Sequence, residues 1–251
     1  MVPKVCCKVI IVGDEILSGK RKDAHLSKSI ELLTAHGLFL EEVRYLPDDP
    51  AVLVRAFKDA FEQGGIVFSF GGIGATPDDY TRDAVAVAAG LPIERHPEGI
   101  AILEAKFGAE AYPDRIKMIE FPKGAQLIPN PFNQIPGFSV QEHYFLPGFP
   151  QMAWPMMEWV LKTYYADAKR QWLEASVLAD EAIEGRLIPL MEDIVRSFPS
   201  LKLFSLPRFK EQGGRELELG VKGADPALIE AAMDVIQKGL DSVGYRWKRL
   251  V

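Results

Sequence analysis

Strand and helix signals alternate along the first part of this chain, and this alternation restricts the possible folds more than any other feature. Short apolar runs that end at a glycine or a polar turn are each followed by apolar residues at helical spacing. Such units form a mostly parallel sheet with helices on both faces, and its ligands bind beyond the carboxyl ends of the strands. The predicted strands are Val9–Val12, Phe39–Tyr45 and Ile66–Phe70, and the predicted helices are centred on residues 26–33, 53–61 and 84–88.

The pattern changes near residue 170. Before that point we predict a helix over 98–107, a short helix over 112–121, strands over 126–128, 138–140 and 143–146, and a helix that ends near Tyr165. From Trp172 a strand, a helix, two strands and a helix follow, as in a small ferredoxin-like α+β domain. We therefore predict a domain over 1–168 and a small βαββα domain over 172–251, with the boundary near Asp167 to Gln171.

Composition excludes several classes of protein. The 251 residues are 48% apolar and carry a formal charge of −6, which disfavours a disordered chain and a nucleic-acid binder. No apolar run approaches the roughly 20 residues of a membrane helix, and the N-terminal run is a buried strand rather than a signal peptide. The adjacent pair Cys6 and Cys7 is poorly placed to form a disulfide bond, so we expect a cytoplasmic location.

The sequence GGIGATPDDYTRDA at 71–84 lies between a buried strand and a helix. Glycines let backbone N–H groups approach a ligand, and a helix N-terminus favours anions, so the segment predicts a phosphate site. A structural alternative is a helix cap, with Thr76 as N-cap, Pro77 in the first helical position and Asp79 three residues after the cap. The cap does not require three nearby glycines and a second carboxylate, so we favour the phosphate site.

Acidic residues accompany this loop. Asp78 and Asp79 would repel a phosphate unless a divalent cation lies between them or one of them is protonated. The sequence GDEILSGK at 13–20 places Asp14 and Glu15 after the first strand, at the same sheet edge. It is not a P-loop, because five residues separate its glycines and Arg21 replaces the required Ser or Thr. On their own, Asp14 and Glu15 are typical of a solvated turn with helix-start acids, but the two loops together favour a shared site. We therefore predict a magnesium-like cation at this site, with the four carboxylates as its candidate ligands.

Two further groups of residues have less specific signals. Lys20, Arg21 and Lys22 form a basic cluster that either neutralises ligand phosphate or is a solvated surface run. The four histidines lack metal-ligand spacing and are interpreted as structural or surface residues. They are His25, His36, His96 and His143.

Four sequence segments in order resemble the molybdopterin-binding (MoaB/Mog-like) domain, specifically the N-terminal part of the CinA family. They are GDEILSG at 13–19, GGIGATPDDYTRDA at 71–84, LIPNPFNQIPGF at 127–138 and LPGFP at 146–150. The resemblance implies a three-layer α/β/α fold and self-association into a homo-oligomer. Ala75 stands where the usual residue is Pro, and Asp23-Ala24-His25 stands where an Asn-rich segment is common. The chain has no counterpart of the deamidase domain of full-length relatives, so nicotinamide mononucleotide deamidation is not expected.

The resemblance also implies site roles. Gly71, Gly72 and Gly74 would bind the ligand, with Thr76 and Gly148 beside them. Asp78 and Asp79 would serve metal binding or catalysis, with Asp14 and Glu15 nearby.

Three functional hypotheses follow. The first is a hydrolase that splits the pyrophosphate of ADP-ribose or a related nucleotide with magnesium, manganese or cobalt. The second is a protein that binds molybdopterin or another pterin phosphate without hydrolysis, in molybdenum cofactor synthesis. The third is an oligomeric scaffold with a vestigial pocket. The partner in the first two is a small phosphate-bearing ligand, and neither involves nucleic acid or a membrane. The sequence leaves open which ligand and which metal are bound.

Overall fold

The computed structural model describes residues 7–166, 168, 173–210 and 213–250. The chain divides into two compact units, Met1–Lys169 and Arg170–Val251. Apart from Ala168, the predicted boundary segment lies outside the described residues, as does Cys6. No helix among the described residues is long and apolar enough to cross a membrane.

The first unit is built on a six-stranded sheet with the strand order β2-β1-β3-β8-β7-β6. The pairs β2-β1, β1-β3 and β3-β8 are parallel, and the hairpin strands β7 and β6 continue the sheet in antiparallel fashion. The predicted mostly parallel sheet is confirmed. The strands of this unit are β1 Cys7–Val12, β2 Leu40–Leu46, β3 Ile66–Phe70, β4 Ile93–Arg95, β5 Glu120–Pro122, β6 Gln126–Ile128, β7 Gly137–Val140 and β8 His143–Leu146.

Helices cover both faces of this sheet. Alternate residues of β1 point to opposite faces, so Ile10 and Val12 pack in one apolar cluster while Val9 and Ile11 pack in another. The first cluster includes α3, α4 and α5, and the second includes α2 and α6, which gives the predicted three-layer arrangement. The helices are α1 Asp14–Leu17, α2 His25–Ala35, α3 Pro50–Gln63, α4 Thr81–Ala89, α5 Pro97–Phe107 and α6 Pro150–Tyr164.

Parallel pairing brings four loops to one edge of the sheet. Val12 is in register with Leu46, and Phe70 is in register with both Ile11 and Leu146. The loops that follow β1, β2, β3 and β8 therefore start side by side. The amide of Gly71 donates to the carbonyl oxygen of Leu146 at 3.0 Å, which joins two of these loops directly.

The second unit has the predicted ferredoxin-like character. Its antiparallel sheet has the order β10-β11-β9-β12, with α7 and α8 packed in its apolar core. The short strand β12 extends the predicted βαββα string by one element. The elements are β9 Leu173–Asp180, α7 Glu184–Ser197, β10 Lys202–Phe209, β11 Arg215–Gly223, α8 Pro226–Val243 and β12 Trp247–Arg249.

The short helix predicted over 112–121 is present only in part, as a 3₁₀ helix. This segment contains a 3₁₀ helix, Arg115–Ile119, which runs into β5, and β5 pairs with β4. Pro113 restricts the residue before it to extended conformations, and the carbonyls of Lys117 and Glu120 accept hydrogen bonds from the Arg82 side chain. These carbonyls therefore have a tertiary partner in place of a continued α-helix.

Candidate functional site

The loop after β3 bends sharply, and glycine is required at two of its positions. Gly71 has φ +103° and Gly72 has φ +68°, in the region that favours glycine. A Cβ at Gly71 would collide with the carbonyl oxygen of Val12, and one at Gly72 would collide with the Thr81 hydroxyl. The segment 71–75, called the glycine loop below, therefore packs its backbone directly against β1 and α4.

The glycine loop presents unpaired backbone donors. The Gly71 amide bonds to Leu146, but within the part of the chain that the structure describes, the amides of Gly72, Ile73, Gly74 and Ala75 donate to no acceptor. All four of these residues border a cavity of about 380 Å³, called the amide cavity below. Native proteins pair nearly all their backbone donors. We therefore expect these four amides to donate to an acceptor group of a ligand or to water.

The other walls of the amide cavity are mostly apolar. They come from Met118, from residues 130–136 and from residues 147–152, which include the start of α6. Gly148 lies here, and a Cβ on it would come 3.5 Å from the Cα of Gly71. The predicted ligand residues Gly72, Gly74, Thr76 and Gly148 thus border one cavity, whereas Gly71, also predicted to bind the ligand, is buried and is not among the described residues that line it.

The predicted cap at Thr76 is wrong, because α4 begins only at Thr81 and its N-cap residue is Tyr80. Thr76 instead closes a turn: its amide donates to Asp79 Oδ2 at 2.9 Å, and its hydroxyl donates to the same oxygen. The residue that joins the loop to the helix is Thr81, which donates from its amide to Gly72 and from its hydroxyl to Gly71.

Arg82 is a residue of the site that sequence reasoning missed. Its side chain is buried and donates to the carbonyl oxygen of Gly74 at 2.7 Å, and to those of Lys117 and Glu120. Burial lowers the pKa of this guanidinium, and nearby acids including Asp83 oppose the shift. Arg82 therefore fixes the glycine loop to the segment before β5. The apolar pattern around it indicated only a helix face.

Four acids border a second, larger cavity of about 780 Å³, called the acidic cavity below. Three of them were predicted as site residues, Asp14, Glu15 and Asp78. Asp48, the fourth, was not predicted as a site residue. The cap of α3 is made by Asp49 alone, which accepts from two amides of the first turn. Asp48 is thus free to line the cavity together with Lys20.

Asp14 and Asp48 are joined directly, because the Asp14 amide donates to Asp48 Oδ2 at 2.9 Å. Burial raises the pKa of the Asp48 carboxyl, and the charges of Asp14, Glu15 and Asp78 raise it further. The cavity therefore concentrates negative charge that a cation would relieve.

The structure separates the two predicted catalytic acids. Asp78 borders the acidic cavity, whereas Asp79 borders the amide cavity and has Oδ2 bonded to Thr76. Carboxylate oxygens are the donors that magnesium and similar hard ions prefer, so the chemistry of the acidic cavity fits such a cation. No three His, Cys, Asp or Glu side chains among the described residues already converge on an ion position.

One histidine contacts the site. His25 is buried, stacks on Phe70 with ring centroids 4.4 Å apart, and has Nε2 3.1 Å from the carbonyl oxygen of Gly148. Burial lowers its pKa, which favours the neutral ring and donation from Nε2. His25 thereby supports the loop after β8. His96 caps α5 through the Gly99 amide.

Comparison with known proteins agrees with this geometry. The family described as a probable molybdopterin binding domain matches residues 8–167, which contain both cavities. The chain belongs to this family. Among the relatives, a CinA-like protein of Citrifermentans bemidjiense is 29% identical over 239 residues, which are 92% of this chain and 57% of the relative. The chain thus spans little more than half of that relative, and the predicted CinA-type membership is confirmed.

Two relatives are similar in length to this chain. A protein of Pyrobaculum arsenaticum is 28% identical over 92% of this chain and 90% of its own length. A protein of Thermoplasma acidophilum is 30% identical over 223 residues, 86% of each chain. The crystal structure of CinA from Thermoplasma acidophilum, a protein of unknown function, has a TM-score of 0.57 and 30% identity, over 62% of this chain and 97% of that one.

Proposed function

We propose that this protein hydrolyses the pyrophosphate bond of ADP-ribose or a related nucleotide with the help of a divalent cation. The observation that carries the proposal is the adjacency of two unlike cavities. Three consecutive residues link the two cavities. Asp79 borders the amide cavity, and its neighbours Asp78 and Tyr80 border the acidic cavity. A ligand with a charged diphosphate and a less polar remainder suits that combination.

The glycine loop would bind the phosphate. The amides of residues 72–75 can donate to its non-bridging oxygens, which carry more negative charge as the bond to the bridging oxygen breaks. Arg82 keeps these donors in place by its bond to Gly74. Because the donors are fixed before the ligand arrives, little reorganisation is needed in the transition state.

The acidic cavity would bind the cation, with Asp14, Glu15 and Asp78 as the residues that hold it. A bound divalent cation would supply positive charge for the phosphate and lower the pKa of water. Asp48, which lines the same cavity, would accept a proton from the attacking water. Water would add its oxygen to one phosphorus and the bridging oxygen would leave with the other, which yields AMP and ribose 5-phosphate. Asp79 was predicted to share the metal-binding or catalytic role of Asp78. Its role would instead be to position Thr76, by accepting hydrogen bonds from the Thr76 amide and hydroxyl.

The test is the release of AMP from ADP-ribose with magnesium, manganese or cobalt, each with and without a chelator. We expect metal-dependent release that falls at least about a hundredfold in Asp78→Asn and in Asp14→Asn. Glu62→Gln, which changes an exposed acid of α3, is the matched control and keeps the native rate. Native-rate release by Asp78→Asn, or no release with any of the three metals, contradicts the proposal.

A pterin phosphate is the second candidate ligand, without hydrolysis. The description of the matched family and the apolar walls of the amide cavity support it. Calorimetric titration with a pterin phosphate separates the two candidates, since pterin binding without AMP release favours this one. A heat of binding with ADP-ribose and none with the pterin phosphate would exclude the pterin candidate.

We further propose that the protein self-associates, as its family resemblance implies, and that it works in the cytoplasm, as its two adjacent cysteines suggest. Sedimentation velocity tests the first part, and a single monomeric species at micromolar concentration contradicts it.

A further inference from the structure

One aromatic side chain at the amide cavity has no evident role in folding. Phe149 precedes α6 at the N-cap position, where its side chain makes no capping hydrogen bond, and it is 52% exposed. N-cap positions favour small polar residues that bond to the first turn. Phe149 forms part of the cavity wall and has the guanidinium of Arg21 5.8 Å from its ring centroid.

The surroundings of Phe149 suit a flat ring. Met118, Met152 and Ile135 also border the cavity, and methionine sulfur packs favourably against aromatic rings. The volume of about 380 Å³ lies within the range of small-molecule sites. The unpaired amides of the glycine loop border the same cavity. A ligand with a phosphate at one end and a flat ring at the other could bind the amides through the phosphate and pack its ring against the apolar wall.

The polar side chains of the apolar wall are already engaged with one another. Asn130 donates from Nδ2 to Asn133 Oδ1 at 2.7 Å and to the Ile135 carbonyl at 3.0 Å, and its own Oδ1 accepts from the Phe132 amide. Asn133 Nδ2 donates to the sulfur of Met152 at 3.2 Å. Both side-chain N–H groups of Asn130 are therefore engaged, and so is the side-chain oxygen of Asn133, which accepts from Asn130 and from the Ile135 amide.

We propose that the amide cavity recognises the faces of a flat heterocycle, with Phe149 as the residue that determines this specificity, and that it does not distinguish one purine from another. The inference rests on the proposed function in taking the ligand to be a phosphate-bearing nucleotide. Stacking on an aromatic side chain accepts any base, because every base has a π-face, whereas selection between bases requires free donors and acceptors.

The experiment is calorimetric titration of the full chain with a chelator present, so that binding is measured without turnover. The probes are ADP-ribose, its counterpart with hypoxanthine in place of adenine, and inorganic pyrophosphate, which has no ring. The variants are Phe149→Ala, Phe149→Leu, which keeps apolar volume without a flat ring, and Phe149→Tyr, which keeps the ring. Since Phe149 is half exposed, thermal unfolding of all three should match the native protein.

We expect Phe149→Ala and Phe149→Leu to bind ADP-ribose about tenfold more weakly, the usual scale for loss of one stacking partner. Phe149→Tyr should bind as the native protein does, pyrophosphate affinity should be equal in all forms, and the hypoxanthine ligand should match ADP-ribose. Native affinity of Phe149→Ala for ADP-ribose, or equal weakening of pyrophosphate, overturns the proposal.

Two further results would also overturn it: tenfold weaker binding of the hypoxanthine ligand, or no binding of ADP-ribose to the native protein. This inference and the proposed hydrolysis can fail independently of each other. If ADP-ribose binds in a Phe149-dependent way but yields no AMP, hydrolysis fails and this inference stands. If AMP is released and Phe149 has no effect on binding, this inference fails alone.

Discussion

The amide cavity and the acidic cavity lie at the same sheet edge but are built by opposite means. The amide cavity offers backbone donors, so its chemistry depends on main-chain geometry at Gly71 and Gly72 and on the packing that holds it. The acidic cavity offers carboxylates, of which Asp48 and Asp78 are examples, so its chemistry depends on side-chain identity. Substitutions at the two loop glycines should therefore damage the fold, whereas substitutions of the acids should change the chemistry alone.

The largest effect is expected at Gly71. Gly71→Ala puts a methyl group into the Val12 carbonyl at a positive φ, and we expect it to lower the free energy of unfolding by about 3 kcal/mol or more. Urea unfolding measures this. Gly90→Ala is the control: Gly90 has φ +67° with open space around its Cβ position, and it should cost only about 1 kcal/mol. Equal losses in both variants would refute the packing explanation.

A smaller effect is expected at the support of the glycine loop. Arg82→Gln leaves the part-buried carbonyls of Gly74 and Lys117 without their donor, which we expect to cost about 2 kcal/mol of unfolding free energy. Hydrogen exchange at residues 72–76 should quicken as the loop loosens. Arg55→Gln, the same change at an exposed arginine of α3, should change neither quantity. Unchanged exchange in Arg82→Gln would mean that the loop holds its shape without the guanidinium.

Affinity, rather than stability, should change at Ala75. Ala75→Pro removes one N–H donor from the amide cavity, and the loss of one hydrogen bond to a charged phosphate should weaken ADP-ribose binding about tenfold. Ala75→Ser keeps the donor and should bind as the native protein does. Calorimetry checks both variants. If the two variants bind equally well, the Ala75 amide has no part in binding.

The smallest effect on the fold is expected at the acidic cavity. Asp48→Asn removes one charge from a group of four acids and keeps an oxygen that accepts from the Asp14 amide. We expect urea unfolding to show no loss of stability, while AMP release falls because the proposed proton acceptor is gone. A loss of stability comparable to that of Gly71→Ala would show that substitutions in the acidic cavity also damage the fold.

Much of the fold was predictable because its signals are local. β3 is apolar at almost every position, and α3 shows an apolar stripe beside the Asp49-Pro50 start, so both were predicted near their observed bounds. The short strands β4, β5 and β12 were missed. Each has three residues, too few to show a period, and each is defined by pairing with a strand that is distant in sequence.

The site was predictable in part for the same reason. Glycines between a buried strand and a helix indicated the loop, and the acids after β1 indicated the shared edge. Asp48 was missed because its neighbour Asp49 explains the helix start, and only the position of β2 beside β1 shows where Asp48 lies. Arg82 was missed because its three acceptors are carbonyls, which carry no side-chain signal.

The sequence by itself determined the alternation of elements, the sharp glycine turn and the presence of acids near it, because apolar period, positive φ and charge are properties of the residues themselves. Only the tertiary structure decided that Asp78 and Asp79 border different cavities. Adjacent side chains in a turn diverge according to the partners they find. Here the Thr76 amide and hydroxyl bind Asp79, while Asp78 borders the cavity formed with the loops after β1 and β2.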